Sequence, residues 1–182
     1  MNSLKVGERS GIINRLFKEE KWREAKVILN GWLNKEPDDH WALTRLASAF
    51  YEEENYKKSL ELVKKALKLK PRCPLALWDF AGTLSSLSRH EEAILIYKKL
   101  LRRGVGDIAR GECSQGIPWA RGLINDCRYR LGLLYGSMDE FHLAIKYTKA
   151  YICAHNRNCP SAYDLREVKK YLRAISEGQY PF

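Results

Sequence analysis

Apolar residues in this chain recur at steps of three and four, the spacing that gathers side chains onto one stripe of an α-helix. Residues 40–70 show it plainly. Leu43, Leu46, Ala47 and Phe50 share a face of one helix. Tyr56, Ser59, Leu60, Val63, Ala66 and Leu67 share a face of the next, with Lys57, Lys58, Glu61, Lys64, Lys65 and Lys68 on the other side. Ala47, Ser59 and Ala66 are small, and two helix axes approach closely only where side chains are short. Pro71 stops the second helix, because proline cannot donate into a continuing helix and restricts its predecessor.

The same pattern returns when the chain is shifted by 34 residues. Ala25, Ser59 and Ala93 coincide, as do Trp22, Tyr56 and His90, Leu29, Val63 and Tyr97, and Pro37 with Pro71. A fourth copy beginning at Asn125 brings Leu131, Gly132, Tyr135, Phe141, Ala144, Thr148 and Tyr151 into register. The windows are 6–39, 40–73, 74–107 and 125–158, each predicting a first (A) and a second (B) helix. Residues 108–124 fall outside them as an insertion. Self-similarity at such a period is the mark of a stacked helical array.

A unit of 34 residues with small residues at positions 8, 20 and 27, large ones at 7, 11, 17 and 24 and proline at 32 resembles the tetratricopeptide repeat family. The resemblance covers most of residues 9–158 and fits windows two and three best. Window four departs from it in having Asn156 where the proline would stand. It implies an all-α, right-handed superhelical solenoid of four hairpins in a single domain, with the A helices lining a groove. The family's ligand-facing positions fall on Ser10, Asn14, Phe17 and Lys18 in window one and on Trp41, Thr44, Arg45, Ser48, Tyr51 and Glu52 in window two. In window three they are Leu75, Trp78, Asp79, Ser85 and Ser86, and in window four Asp126, Tyr129, Arg130, Leu133 and Ser137. Of these, Asn14, Trp41, Arg45, Tyr51, Trp78, Tyr129 and Arg130 are the candidate partner-binding set, because aromatics and arginines dominate interface energetics. The lysine/asparagine clamp of chaperone-binding members would need matches at Ser10, Asn14, Arg45, Trp78 and Gly82, and only Asn14 fits.

Two stretches lie outside the repeats. Gly104, Gly106, Gly111 and Gly116 predict a loop over 104–117, and Pro118 suits the first turn of a helix. The fourth A helix is therefore expected from about Pro118 to Tyr135, two turns longer than its counterparts, packing Trp119 on a neighbour; the alternative is a lid or wall at the groove. After the last window, Leu165, Val168, Leu172 and Ile175 form one stripe with Arg166, Lys169, Lys170 and Arg173 outward. This predicts a capping helix over about 160–177, ended by Gly178, of the kind a helical array needs to cover its last apolar face.

Composition narrows the function without naming it. At 45% hydrophobic and 30% charged residues, the chain is a folded one. No apolar run approaches the ~20 residues that cross a bilayer, and residues 1–11 lack the apolar core of a signal peptide. A cytoplasmic protein is expected. Thirty-two basic against 22 acidic residues leave +10. The five cysteines, without a CxxC pair, read as free thiols. Cys113 has no paired base, and Cys153, His155 and Cys159 do not match a zinc spacing. No nucleophile elbow, phosphate loop or zinc-protease motif occurs. The expectation is a non-catalytic adaptor without cofactor or metal, taking a peptide or helix, partly acidic, from a partner protein. The alternative is a nucleic-acid binder using its basic surface; the outer lysines Lys57, Lys64 and Lys68 are read as solvated.

Overall fold

A computed structural model describes residues 6–155, 159 and 161–178. The described residues form helices and no strand: α1 (Val6–Lys18), α2 (Trp22–Leu33), α3 (His40–Glu52), α4 (Tyr56–Leu69), α5 (Pro74–Ser86), α6 (His90–Ala109), α7 (Ile117–Gly136), α8 (Phe141–His155) and α9 (Leu165–Ser176). They fall into two compact units, Met1–Leu87 and Ser88–Phe182. None of these helices is long and apolar enough to cross a membrane.

In the first unit, α3 packs on α2 and α4, α5 packs on α3 and α4, and α1 packs on α2. Short polar side chains start two of the helices. Asp39 accepts from the Ala42 amide at 3.0 Å at the head of α3, and Asn55 accepts from the Lys58 amide at 3.2 Å at the head of α4. Each satisfies a donor that the first helical turn leaves without an intrahelical partner. Ala25, Ala47, Ser59 and Ala66 have no exposed surface, as the close-approach argument requires. Ser59 and Thr83 settle their buried hydroxyls against each other at 3.0 Å.

In the second unit, α7 packs on α6 and α8, and α9 packs on α8. A Cβ added at Gly132 would stand 2.5 Å from Thr148 Oγ1 and 3.3 Å from the Ala144 carbonyl, so α7 and α8 meet here only because Gly132 has no side chain. α7 runs 20 residues against 13 for α1, α3 and α5, which is the expected two-turn extension, and half-buried Trp119 lies on it.

The stretch 104–117 is less of a loop than its glycines imply. Gly104 breaks α6 with φ 72° and ψ 170°, and residues 105–109 then turn helically again. Fully buried Ile108 anchors that turn, and Arg103 bonds Asp107 at 2.5 Å across the break. The capping helix starts at Leu165 rather than near 160, because Asp164 is its N-cap and accepts from the Arg166 amide at 2.7 Å. Gly178, at φ 71°, follows its end as expected. Pro160 and Asn156 lie outside the described residues.

One regularity of the turns is invisible in residue type. Glu20, Glu54, Ser88 and Asp139 all adopt the left-handed conformation, at φ 55–60°. Each sits at position 15 of its window. In three of the four turns the next amide reaches back five residues at 2.9 Å: Lys21 to the Leu16 carbonyl, Asn55 to Phe50, and Glu140 to Tyr135. This is the Schellman closure, which glycine ordinarily supplies.

Two outcomes test this packing. Ala66→Leu should lower unfolding free energy by about 1–3 kcal/mol in urea titration, since the added methylenes have no space to enter. Glu54→Gly should leave stability unchanged or raise it by up to about 1 kcal/mol, whereas Glu54→Val should lower it, because Glu54 is exposed and its left-handed backbone strains a β-branched residue most.

Candidate functional site

Within the first unit, helices α1, α3 and α5 carry the positions that the repeat pattern assigns to ligand contact. Arg45, on α3, is half-buried with its guanidinium carbon 4.1 Å from the Phe17 ring centroid. It also donates to exposed Asn14 Oδ1 at 3.4 Å. Asp79, on α5, is bonded by the Ser48 hydroxyl, which lies 3.1 Å from the Thr44 carbonyl. Burial pushes the Asp79 carboxyl from its ordinary 3.8 up to about 6, against the opposing pull of Ser48 and Arg45, with Glu52 adding a push upward. Burial likewise lowers the Arg45 guanidinium from its ordinary range. Tyr51 accepts from Ser86 at 3.2 Å and meets Tyr56 edge-on at 5.3 Å. This face is thus a row of polar groups with both signs of charge, not a purely cationic surface.

Trp41 and Trp78 are also half-buried in this unit. Trp41 lies with Trp32 at 6.3 Å, and Arg9 covers both rings at 5.9 and 4.5 Å while bonding Asp39 at 2.5 Å. Trp41 is therefore partly committed to the seam between α1, α2 and α3. Asn14, Arg45 and Phe17 come together directly, with Ser48 and Asp79 beside Arg45.

In the second unit the corresponding face of α7 is covered by the chain itself. Asp126 accepts from Ser161 Oγ at 2.5 Å and from the Ala162 amide at 3.1 Å. The Tyr151 hydroxyl lies 2.6 Å from Ser161 Oγ and 3.1 Å from the Tyr163 carbonyl. Tyr129 is at the centre of a ring cluster, 4.8 Å from Tyr163, 5.4 Å from Tyr151 and 6.1 Å from Tyr171. Arg130 stands 5.5 Å over Tyr163. Tyr129 is consequently buried, with 8% exposed, whereas its repeat position leads one to expect an exposed groove residue. Burial raises the Asp126 carboxyl, opposed by its bonds from Ser161 and Ala162, and pushes the Tyr171 phenol up to about 12. No sequence signal marks this latch, since Ser161 and Tyr163 lie outside the repeat and touch residues some 35 positions away.

Elsewhere, Cys127 is buried and its thiol is raised well above the ordinary range by desolvation, so it is not an activated nucleophile. The His155 ring stacks on Tyr151 at 5.8 Å.

The Asp79 shift has a measurable consequence. Its protonated form is the one the fold favours, so its contribution to stability is full below about pH 3.8 and is lost as pH rises through about 6. Wild-type unfolding free energy, measured relative to Asp79→Asn, should fall by up to about 3 kcal/mol between pH 4 and pH 7. A flat difference across that range would place the proton elsewhere.

Residues 42–73 match the family model described as a tetratricopeptide repeat. No curated protein matches the sequence. Solved structures do resemble the fold. MamA 41-end from Desulfovibrio magneticus RS-1 aligns with a TM-score of 0.65 at 15% identity, covering 96% of this chain and 86% of that one. The MamA RS-1 ArsTM double mutant aligns at 0.57 and 17% identity, covering 94% and 92%, and a crystal structure of MamA at 0.56 and 17%, covering 97% and 95%. At such identities the likeness speaks to fold alone, and it agrees with the helical architecture. The chain is an all-α helical-repeat protein that carries a tetratricopeptide repeat at residues 42–73.

Proposed function

We propose that this protein is a non-catalytic adaptor that holds a peptide or helix of a partner protein against the α1, α3 and α5 face of its first unit. The observation that carries the reading is the polar row on that face. Arg45, Asn14, Ser48, Asp79, Tyr51 and Ser86 offer donors and acceptors on a partly buried surface, with half-buried Trp78 as an aromatic anchor. Because Arg45 is balanced by Asp79 and Glu52, the partner segment would combine polar groups with one or two apolar side chains, and an acidic group would contact Arg45. The latched face of the second unit takes no part while residues 161–164 remain in place.

A second reading keeps a specific observation. Lys57, Lys64, Lys65 and Lys68 are exposed along one helix and have no carboxylate partner among the described residues. Such a stripe could neutralise nucleic-acid phosphates, with affinity that falls steeply as salt rises.

The experiment compares Arg45→Ala and Trp78→Ala with a Lys57→Ala and Lys64→Ala pair. Each is assayed by quantitative affinity capture, then by titration of the captured partner's binding segment and of nucleic acid across a salt series. Each of the first two changes should cost about 2 kcal/mol or more, about thirtyfold in partner affinity, while the lysine pair changes little. Tight, salt-sensitive nucleic-acid binding lost with the lysine pair would establish the second reading instead.

A further inference from the structure

The repeat accounts for neither the two additional turns of α7 nor the helical turn after Gly104, yet in the second unit these two features wall a common cavity. It measures about 360 Å³ and is lined by Val105, Arg121, Ile124, Arg128, Ala154 and Cys159. That size falls within the ~300–1,000 Å³ of small-molecule sites. Arg121 and Ile124 come from the extension of α7. Arg128 lies seven residues beyond Arg121, which returns it to the same face of the helix after two turns. Val105 is placed by the break at Gly104, and the Cys159 thiol donates to the Arg121 carbonyl at 3.3 Å, which ties the opposite wall to α7.

Two guanidinium groups line the cavity, and the opposing charge felt at Cys159 comes from Asp126. Arg128 Nη1 donates to the Asn125 side-chain oxygen at 3.2 Å, a neutral acceptor that orients the guanidinium without neutralising it. Neither Arg121 nor Arg128 has a carboxylate partner among the described residues. Asp126 directs its two oxygens to Ser161 and the Ala162 amide rather than to either arginine, and Asp107 is paired with Arg103. Val105, Ile124 and Ala154 supply the apolar part of the lining. Guanidinium groups match the planar oxygens of carboxylates and phosphates, and in a partly enclosed site they bind them more strongly than lysine would.

We propose that this cavity is a binding site for a small organic anion: a carboxylate or phosphate group held by Arg121 and Arg128, carrying a compact apolar body set against Val105, Ile124 and Ala154. The site belongs to the second unit and does not depend on the partner face of the first. Its ligand would make this repeat protein responsive to a metabolite as well as to a protein.

Phenyl phosphate, benzoate, inorganic phosphate and benzyl alcohol serve as probes, in calorimetric titration and in alkylation of Cys159 followed peptide by peptide, with exposed Cys153 as the internal reference. Phenyl phosphate or benzoate should bind one per chain with a dissociation constant below about 1 mM and slow alkylation of Cys159 but not of Cys153. Which of the two binds more tightly distinguishes a phosphate from a carboxylate ligand. Arg121→Gln, at an exposed position that leaves the core untouched, should weaken binding at least about tenfold, as should Arg128→Gln, while Arg102→Gln on α6 should not. The proposal is overturned if neither anion binds or protects Cys159, or if benzyl alcohol protects equally. It is also overturned if inorganic phosphate binds as well as phenyl phosphate, or if Arg121→Gln binds like wild type.

Discussion

Everything in this molecule depends on pairs of helices meeting where a side chain is nearly missing. Ala25, Ser59, Ala93 and Ala144 occupy the same place in successive windows, and none has any exposed surface. Facing helices can reach van der Waals contact along their length only if such positions stay small, and interiors are packed too tightly to forgive an extra methyl group. Gly132 carries the constraint to its limit against Thr148. Once the contact points are set, helix length and turn length are no longer free. Between α1 and α2, α3 and α4, α5 and α6, and α7 and α8 the chain reverses within three or four residues, one of which passes through the left-handed region.

That hierarchy explains what could be read from the residues. A steric demand repeated every 34 positions leaves a statistical trace, so the helices and the longer α7 were legible. The α9 stripe was legible for the same reason, since burial on one side forces apolar spacing. The turn conformation was not, because Glu20, Glu54, Ser88 and Asp139 share a backbone angle but no side-chain chemistry. Nor was the extent of the 104–117 loop, where the glycines outweighed Ile108, whose burial restores a helical turn.

The candidate site was legible only as a set of positions. Family spacing marks which residues lie on the A-helix face, but it says nothing of what else reaches that face. Arg45 finds Phe17 and Asn14 on α1 with Asp79 nearby on α5, and these are single contacts with no period to betray them. Tyr129 and Arg130 illustrate the same limit more strongly. Their positions are repeat positions, yet Tyr163 covers both from outside the repeat. A surface that would hold a foreign segment in one unit holds a native one in the other, and the chemistry that suits it there is a hydroxyl, an amide and an aromatic ring.

The latch also orders events in time. Asp126 is synthesised 35 residues ahead of Ser161, the group that completes its hydrogen bonding. At ordinary elongation rates of about 5–20 residues per second, that gap lasts about two to seven seconds. Helix α8 is completed within that gap, six residues ahead of Ser161, and until Ser161 and Tyr163 follow, Asp126 and Tyr129 lack the residues that cover them. The covering of α7 therefore comes late in the order of synthesis, from residues that follow α8.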